Sequence, residues 1–310
     1  MITVLAGGVG AARLLRGLAR ATDPTRITAV VNVGDDTVLH GLHVSPDLDT
    51  VTYTLAEAID PERGWGLAGE TWHAMEALAR YPGGLDWFSL GDRDLATHLY
   101  RTHRLAQGAP LSTVTTEISA AWGLGVTLRP VTDDPLRTIV EVAGEGEISF
   151  QEYFVGRRHA VEVSGLRFEG ATAARPGPGV LAALGLADRL VIAPSNPLVS
   201  IAPVLAVPGM REAVASRRDD VVAVSPIVAG AALKGPADRL MRELGHEPSV
   251  VGVARYYAPL AGTLVVDEAD ADRRDEVEAE GMRCVVAPTV MGDLGRATAL
   301  GRVVSEGAGP

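Results

Sequence analysis

The chain has 310 residues, with 39 acidic against 28 basic side chains and a formal charge of −11, which argues against a general surface for nucleic acid or anionic membrane. A hydrophobic fraction of 47% with 22% charged residues is that of a globular chain long enough for one large or two modest domains. The single cysteine, Cys284, permits no internal disulfide and fits a reducing, cytoplasmic setting.

Met1 to Leu5 carries no basic segment and runs straight into glycines, so Ile2 to Ala6 is predicted as a buried parallel strand and not as a signal peptide. Gly7, Gly8 and Gly10 make the turn, and Leu14, Leu15 and Leu18 recur at helical spacing. Ile27 to Val33 is a second strand, which implies a parallel crossover. Helices are predicted over 49–59, 70–80, 92–107 and 111–122, where apolar residues recur at three and four. Residues 126–168 are rich in Val, Ile, Thr and Phe and are expected to include strands. The α/β alternation then resumes, with helices over 177–186 and 236–245 and strands over 190–193, 221–224, 250–254 and 285–287. The tail from Ser305 to Pro310 is expected to fray. No apolar run reaches the roughly 18 residues a membrane span needs. The predicted fold is α/β: a doubly wound, mainly parallel, Rossmann-like sheet with a largely helical insertion. Residues 1–60 and 165–310 form its nucleotide-binding core, and 61–164 the helical and β insertion.

Gly7-Gly8-Val9-Gly10 sits between a strand and a helix, where bare backbone can approach a phosphate. Arg13 stands where the dinucleotide fingerprint wants its third glycine, so the match is partial. Five aspartates, Asp35, Asp36, Asp47, Asp49 and Asp60, fall within 26 residues after the second strand. Carboxylates at that edge of a sheet suit Mg²⁺, which takes one or two of them plus waters and substrate phosphates. Asp is also an ordinary turn residue, and Asp49 suits an N-cap. Asp92 likewise suits the N-cap of its helix, and Arg93 then lies in a first turn, where the dipole does not favour a cation. Ser195-Asn196-Pro197 and Ser225-Pro226-Ile227 close two later strands with small polar groups, and Lys234 precedes a helix. The seven histidines show no zinc spacing, and neither a G-x-S-x-G elbow nor a P-loop occurs.

Taken in order, Leu5 to Arg13, Asn32-Val33-Gly34-Asp35-Asp36, Ser45-Pro46-Asp47-Leu48-Asp49-Thr50, Leu90 to Leu95, Ala193 to Pro197 and Ser225 to Gly230 resemble the motifs of the 2-phospho-L-lactate transferase family of deazaflavin coenzyme F420 biosynthesis. One departure is Ala231, where members often carry lysine. The resemblance implies a Mg²⁺-dependent phosphotransferase. Its members move a phospho-acid from a guanosine diphosphate-linked donor to the ribityl hydroxyl of the deazaflavin Fo and release GMP. The acid is 2-phospholactate in archaeal members and phosphoenolpyruvate in actinobacterial ones. Carried over by motif, Asp49 and Arg93 contact Fo, with Asp47 and Thr50 beside them. Asp35 and Asp49 hold the metal. Gly7, Gly8, Val9, Gly10, Ser195, Asn196, Pro197, Ser225, Pro226, Ile227 and Lys234 hold the guanosine diphosphate. The resemblance also implies that 61–164 contributes to the deazaflavin site and that the chain forms a homodimer.

Asp35, Asp36 and Asp49 are the catalytic candidates, and the residues leave open which of them, if any, is the general base. Asp49→Ala is expected to abolish Mg²⁺-dependent turnover and leave the fold intact. Two other functions compete. A nucleotide-sugar-binding regulator of the gluconeogenesis-factor type shares the glycine turn and the double Asp, but Thr37 to Gly41 lacks its Gly/Ser-rich loop. A dehydrogenase is disfavoured by Arg13. Of the 28 bases, 27 are arginine, as in a GC-rich coding sequence, which tilts the expected donor acid toward phosphoenolpyruvate.

Overall fold

The computed structural model describes residues 1–82 and 87–306. In chain order, β1 (Ile2–Ala6) leads into α1 (Gly8–Ala21), and β2 (Ile27–Val31) returns parallel to β1. A ribbon of β3 (Thr37–Leu39) and β4 (Leu42–Val44) precedes α2 (Pro46–Leu55), α3 (His73–Leu78), α4 (Asp94–Ala106) and α5 (Leu111–Ala121). Next come β5 (Thr127–Pro130), β6 (Arg137–Val142), β7 (Gly146–Ser149) and β8 (Val163–Glu169). The last three make a separate antiparallel sheet in the order β7-β6-β8. The chain continues through α6 (Val180–Leu186), β9 (Arg189–Ile192), α7 (Ala202–Ala206), α8 (Met210–Ala215) and β10 (Val221–Val224). A short ribbon, β11 (Ile227–Val228) and β12 (Ala231–Ala232), leads to α9 (Ala237–Glu243) and α10 (Val250–Tyr257). It ends with β13 (Thr263–Val266), α11 (Arg274–Ala279), β14 (Arg283–Val286) and α12 (Leu294–Glu306).

Seven of these strands pair in the order β14-β13-β10-β9-β1-β2-β5, every pair parallel. Every residue of β1, β2 and β10 is buried, as expected of a parallel sheet covered on both faces. Leu14, Leu15 and Leu18 of α1 are fully buried, each worth about 1.5–3 kcal/mol of removed apolar surface. Helices α1 and α12 approach through glycines: a Cβ on Gly17 would lie 2.1 Å from the Ala297 carbonyl oxygen. From β1 the chain steps outward to β2 and β5, then returns to β9 on the other side of β1 and steps outward again. The order therefore reverses between β1 and β9. The doubly wound α/β prediction holds.

Three details differ from prediction. Residues 250–254 are helical: the Ser249 hydroxyl caps α10 by accepting the Gly252 N–H at 3.1 Å, and that cap outweighs the β-branched run of Val250, Val251 and Val253. The neighbouring strand is β13, which carried no prediction. Segment 61–164 supplies β5 to the main sheet, so it is not an insertion throughout. Of the tail expected to fray, Ser305 and Glu306 finish α12, and residues 307–310 lie outside the described residues.

Candidate active site

The crevice at the β1/β9 reversal is where an open α/β sheet holds its ligand. The loops after the two strands are stitched together there. Ser195 Oγ donates to the Gly7 carbonyl at 2.7 Å and accepts the Gly7 N–H at 3.3 Å. A Cβ on Gly10 would come within 2.2 Å of the Pro194 carbonyl oxygen, so only glycine fits that crossing. Gly8 has φ +70°, the left-handed region that favours glycine. Its N–H donates to Asp47 Oδ1 at 2.8 Å, leaving the next first-turn amides of α1 without intrahelical partners.

A cavity of about 760 Å³ opens from this crevice. One wall is acidic. Asp47, in the first turn of α2, binds Gly8 and accepts Asn32 Nδ2 at 3.0 Å. Asp36 accepts Ser45 Oγ at 2.7 Å, and Gln151 Nε2 donates to the Asp35 carbonyl at 3.0 Å. Asp35 Oδ1 and Asp36 Oδ1 are buried without a hydrogen bond. Burial pushes the Asp36 carboxyl up to about 8 against its Ser45 hydrogen bond. Burial also lifts Asp47 to about 6 against Asn32 and Gly8. Asp35 is raised by burial first, then by the charges of Asp47 and Asp36. Three crowded carboxyls held toward their protonated forms make a site that favours an added cation.

Beside them lies a second network that carried no sequence prediction. Arg101, 1% exposed, meets Asp49 with both terminal nitrogens, Nη1 on Oδ2 at 3.1 Å and Nη2 on Oδ1. His98, also 1% exposed, lies between Asp49 and Asp94: Nδ1 is 3.7 Å from Asp49 Oδ2 and Nε2 is 3.3 Å from Asp94 Oδ2. The Tyr53 hydroxyl donates to Asp94 Oδ1 at 2.6 Å. Burial works against ionising Asp94, but hydrogen bonds from His98 and Tyr53 hold its carboxyl below the usual range. Asp94, His98 and Arg101 stand at i, i+4 and i+7 of α4, a polar stripe on one buried face. That stripe was the available signal.

The rest of the lining is largely aromatic and basic. Trp65, Trp87, Phe88, Phe150 and Phe154 belong to it. Arg63 sits over Trp65 at 5.4 Å and Trp72 at 5.2 Å, and pairs with Asp60 at 2.8 Å. Arg13, Arg158 and Lys234 also line the cavity.

Of the predicted residues, the cavity gathers Gly7, Gly8, Val9, Gly10, Asp35, Asp47, Asp49, Thr50, Ser195, Asn196, Ser225, Pro226 and Lys234. Asp36, Pro197 and Ile227 stand behind this lining; the Ile227 carbonyl accepts Ser225 Oγ at 2.9 Å. Asp49 is not an N-cap: Ser45 precedes α2, and Asp49 lies inside its first turn. Both Asp49 oxygens are bound by Arg101, so Asp49→Ala would strand a buried guanidinium, contrary to the expectation of an intact fold. Asp92 does not cap its own helix. Its carboxylate accepts the His73 and Ala74 N–H groups at the start of α3, while Glu70 accepts those of Arg93 and Asp94 at the start of α4. Arg93 is exposed, outside the cavity lining, and its Nη1 donates to the Ala68 carbonyl at 2.7 Å.

Among the described residues no three His, Cys, Asp or Glu side chains form a closed metal cage, and no helix is long and apolar enough to cross a membrane. Residues 2–299 match the family model described as 2-phospho-L-lactate transferase CofD. The chain is 48% identical over 309 residues to a phosphoenolpyruvate transferase of Streptomyces griseus subsp. griseus, covering 98% of this chain and 97% of that one. It is 45% identical to a phosphoenolpyruvate transferase of Thermobifida fusca, over 96% and 95% of the two chains. It is 44% identical to one of Mycolicibacterium smegmatis, over 94% of each. Among solved structures, a UPF0052 family protein of Bacillus halodurans shares the fold, with a TM-score of 0.63 and 18% identity over 98% of both chains.

Proposed function

This chain belongs to the CofD family of 2-phospho-L-lactate transferases, a transferase family of coenzyme F420 biosynthesis, and from that membership we propose that it transfers an enolpyruvyl-phosphate group to the ribityl hydroxyl of Fo. The donor in this proposal is guanosine diphosphate-linked, and GMP leaves. The phosphoenolpyruvate transferase names of the relatives support enolpyruvate as the acid.

The observation that carries the proposal is one cavity with two kinds of lining: a glycine turn at a helix N-terminus, suited to a diphosphate, and a set of aromatic side chains, suited to a flat deazaflavin. The ribityl oxygen attacks the β-phosphorus, and the bond from that phosphorus to the oxygen shared with the α-phosphate breaks. Positioning and charge neutralisation dominate such a transfer. First-turn amides of α1 orient the diphosphate. Asp49, locked by Arg101, presents a fixed edge toward the incoming hydroxyl. Asp94, held by Tyr53 and His98, keeps that ring from turning.

Mg²⁺ fits the acidic wall, because Asp35 Oδ1 is buried without a partner and Asp47 and Asp36 crowd it. Asp35 and Asp47 would hold it, rather than Asp35 with Asp49: Asp47 is bound only by the neutral amides of Gly8 and Asn32, whereas the charge of Asp49 is already answered by the Arg101 cation. When bound, the ion neutralises diphosphate oxygens.

The test is product mass after incubation with Fo and each guanylylated acid. The enolpyruvyl product with one GMP is expected; no product from the enolpyruvyl, lactyl or glyceryl donor would overturn the proposal. Calorimetry with Fo separates it from a regulator, which would ignore Fo. Light scattering reads the homodimer expected from the resemblance.

A further inference from the structure

Three cations line the cavity with no anion to answer them. Among the described residues Arg13, Lys234 and Arg158 make no ion pair and no side-chain hydrogen bond. Arg63, the fourth cation of the lining, is satisfied by Asp60 and the Leu67 carbonyl.

All three line the cavity that opens from the glycine turn. Arg13 stands in the second turn of α1, directly after the glycine turn, and lines the cavity. Lys234 follows β12 and lines the cavity. A Cβ on Gly64 would lie 2.7 Å from Lys234 Nζ and 3.8 Å from Val9 Cγ1, so the ammonium hangs above the turn. Burial and the charge of Arg13 hold the Lys234 ammonium below its ordinary range, as for two like charges facing one space. Arg158 follows the helical turn Glu152–Gly156. Phe154, in that turn, lies 3.7 Å from where a Gly235 Cβ would be, so the turn before Arg158 packs beside the Lys234 loop.

We propose that these three cations read a triply anionic donor, with Arg13 and Lys234 on the diphosphate and Arg158 on the carboxylate of the acid it carries. The inference rests on the transferase reading and adds a residue that recognises the carboxylate shared by the candidate donor acids. A guanosine diphosphate ester of enolpyruvate, lactate or glycerate carries two phosphate charges and one carboxylate, one for each free cation. A guanidinium matches a carboxylate in a planar two-point fit, whereas an ammonium serves a phosphate as a point charge. Arg158 is exposed and unpaired, so its replacement spares the fold.

The test compares wild type, R158Q, R13Q and K234Q by calorimetry with three probes. These are GDP, the enolpyruvyl-diphosphoguanosine donor, and the β-isopropenyl ester of GDP, which lacks only the carboxylate. R158Q is expected to weaken the full donor about tenfold or more, to leave GDP within twofold, and to leave the isopropenyl ester unchanged. R13Q and K234Q are expected to weaken all three probes. An R158Q variant that binds the full donor like wild type, or weakens GDP equally, overturns the assignment of Arg158. GDP binding by R13Q and K234Q at wild-type strength overturns their placement on the diphosphate. Failure of the transferase reading is distinct, because wild type itself would then bind neither GDP nor the donor.

Discussion

Asp49 and Arg101 form a two-point ion pair in the interior, joining α2 to α4 beneath the cavity. Their side chains are 8% and 2% exposed, so neither charge has water to fall back on. Arg101→Met should therefore destabilise the protein by about 3–5 kcal/mol, because it leaves Asp49 buried and unpaired. Urea denaturation reads this. Asp49→Asn with Arg101→Met should recover much of the loss, and a double variant as unstable as Arg101→Met would show that the pair is not the cause. Asp49→Asn alone is expected to be destabilised as well, because it leaves the Arg101 guanidinium buried without a counter-charge.

The acidic wall sets a pH dependence for the chelator-treated protein. An aspartate ordinarily titrates near 3.8, whereas Asp36 is held up to about 8 and Asp47 to about 6. Between those limits the folded chain keeps protons that the unfolded chain has lost. Stability from these groups is thus fully present below about 4 and falls as pH rises. One such proton costs about 1.4 kcal/mol per pH unit. Urea midpoints at pH 6, 7 and 8 should fall, and Asp36→Asn should flatten the decline between 6 and 8. A midpoint that rises with pH in the wild type would show these carboxyls ionised in the fold. Added Mg²⁺ should restore stability most at the alkaline end, where the carboxylates are free to take it.

What the sequence made legible follows from the range over which each signal acts. Short apolar strands, glycine turns and Asp-rich strand ends are local patterns, and they located β1, β2, β9 and β10 together with the loops that line the cavity. Val250 to Val253 misled because a β-branched run reads as strand, although Ser249 three residues before Gly252 was a usable cap signal. Asp92 misled for a different reason. Its position marks a helix start, but the helix it caps belongs to another segment, and only folding brings Glu70 and Asp92 together in exchange. Arg63 stacked on Trp65 and Trp72 has no motif at all.

The α1–α12 crossing gives a prediction remote from the chemistry. A Cβ on Gly17 would meet the Ala297 carbonyl carbon at 2.3 Å, and one on Gly301 would meet the Leu18 nitrogen at 2.8 Å. Both neighbours are backbone, which cannot rotate away. Gly17→Ala should therefore destabilise by about 1–3 kcal/mol despite its higher helix propensity. The affinity for GDP, measured by calorimetry well below the melting transition, should stay unchanged. A stabilised variant would mean that the helices can part at no cost.

Gly8 and Gly10 are two residues apart and should fail in different ways. Gly8 has open space around its missing Cβ but a φ of +70°, so Gly8→Ala meets backbone strain of about 1–2 kcal/mol and no clash. Gly10 has the reverse problem: its backbone suits any residue, but a Cβ would strike the Pro194 carbonyl oxygen at 2.2 Å. Gly10→Ala must push the α1 turn away from the loop after β9 and open the crevice where the strand order reverses. Calorimetry with GDP should show Gly10→Ala weakened by tenfold or more at a temperature where both variants are folded, and Gly8→Ala weakened less. Equal losses in the two would mean that conformational strain, and not the closeness of the β1 and β9 loops, shapes the site.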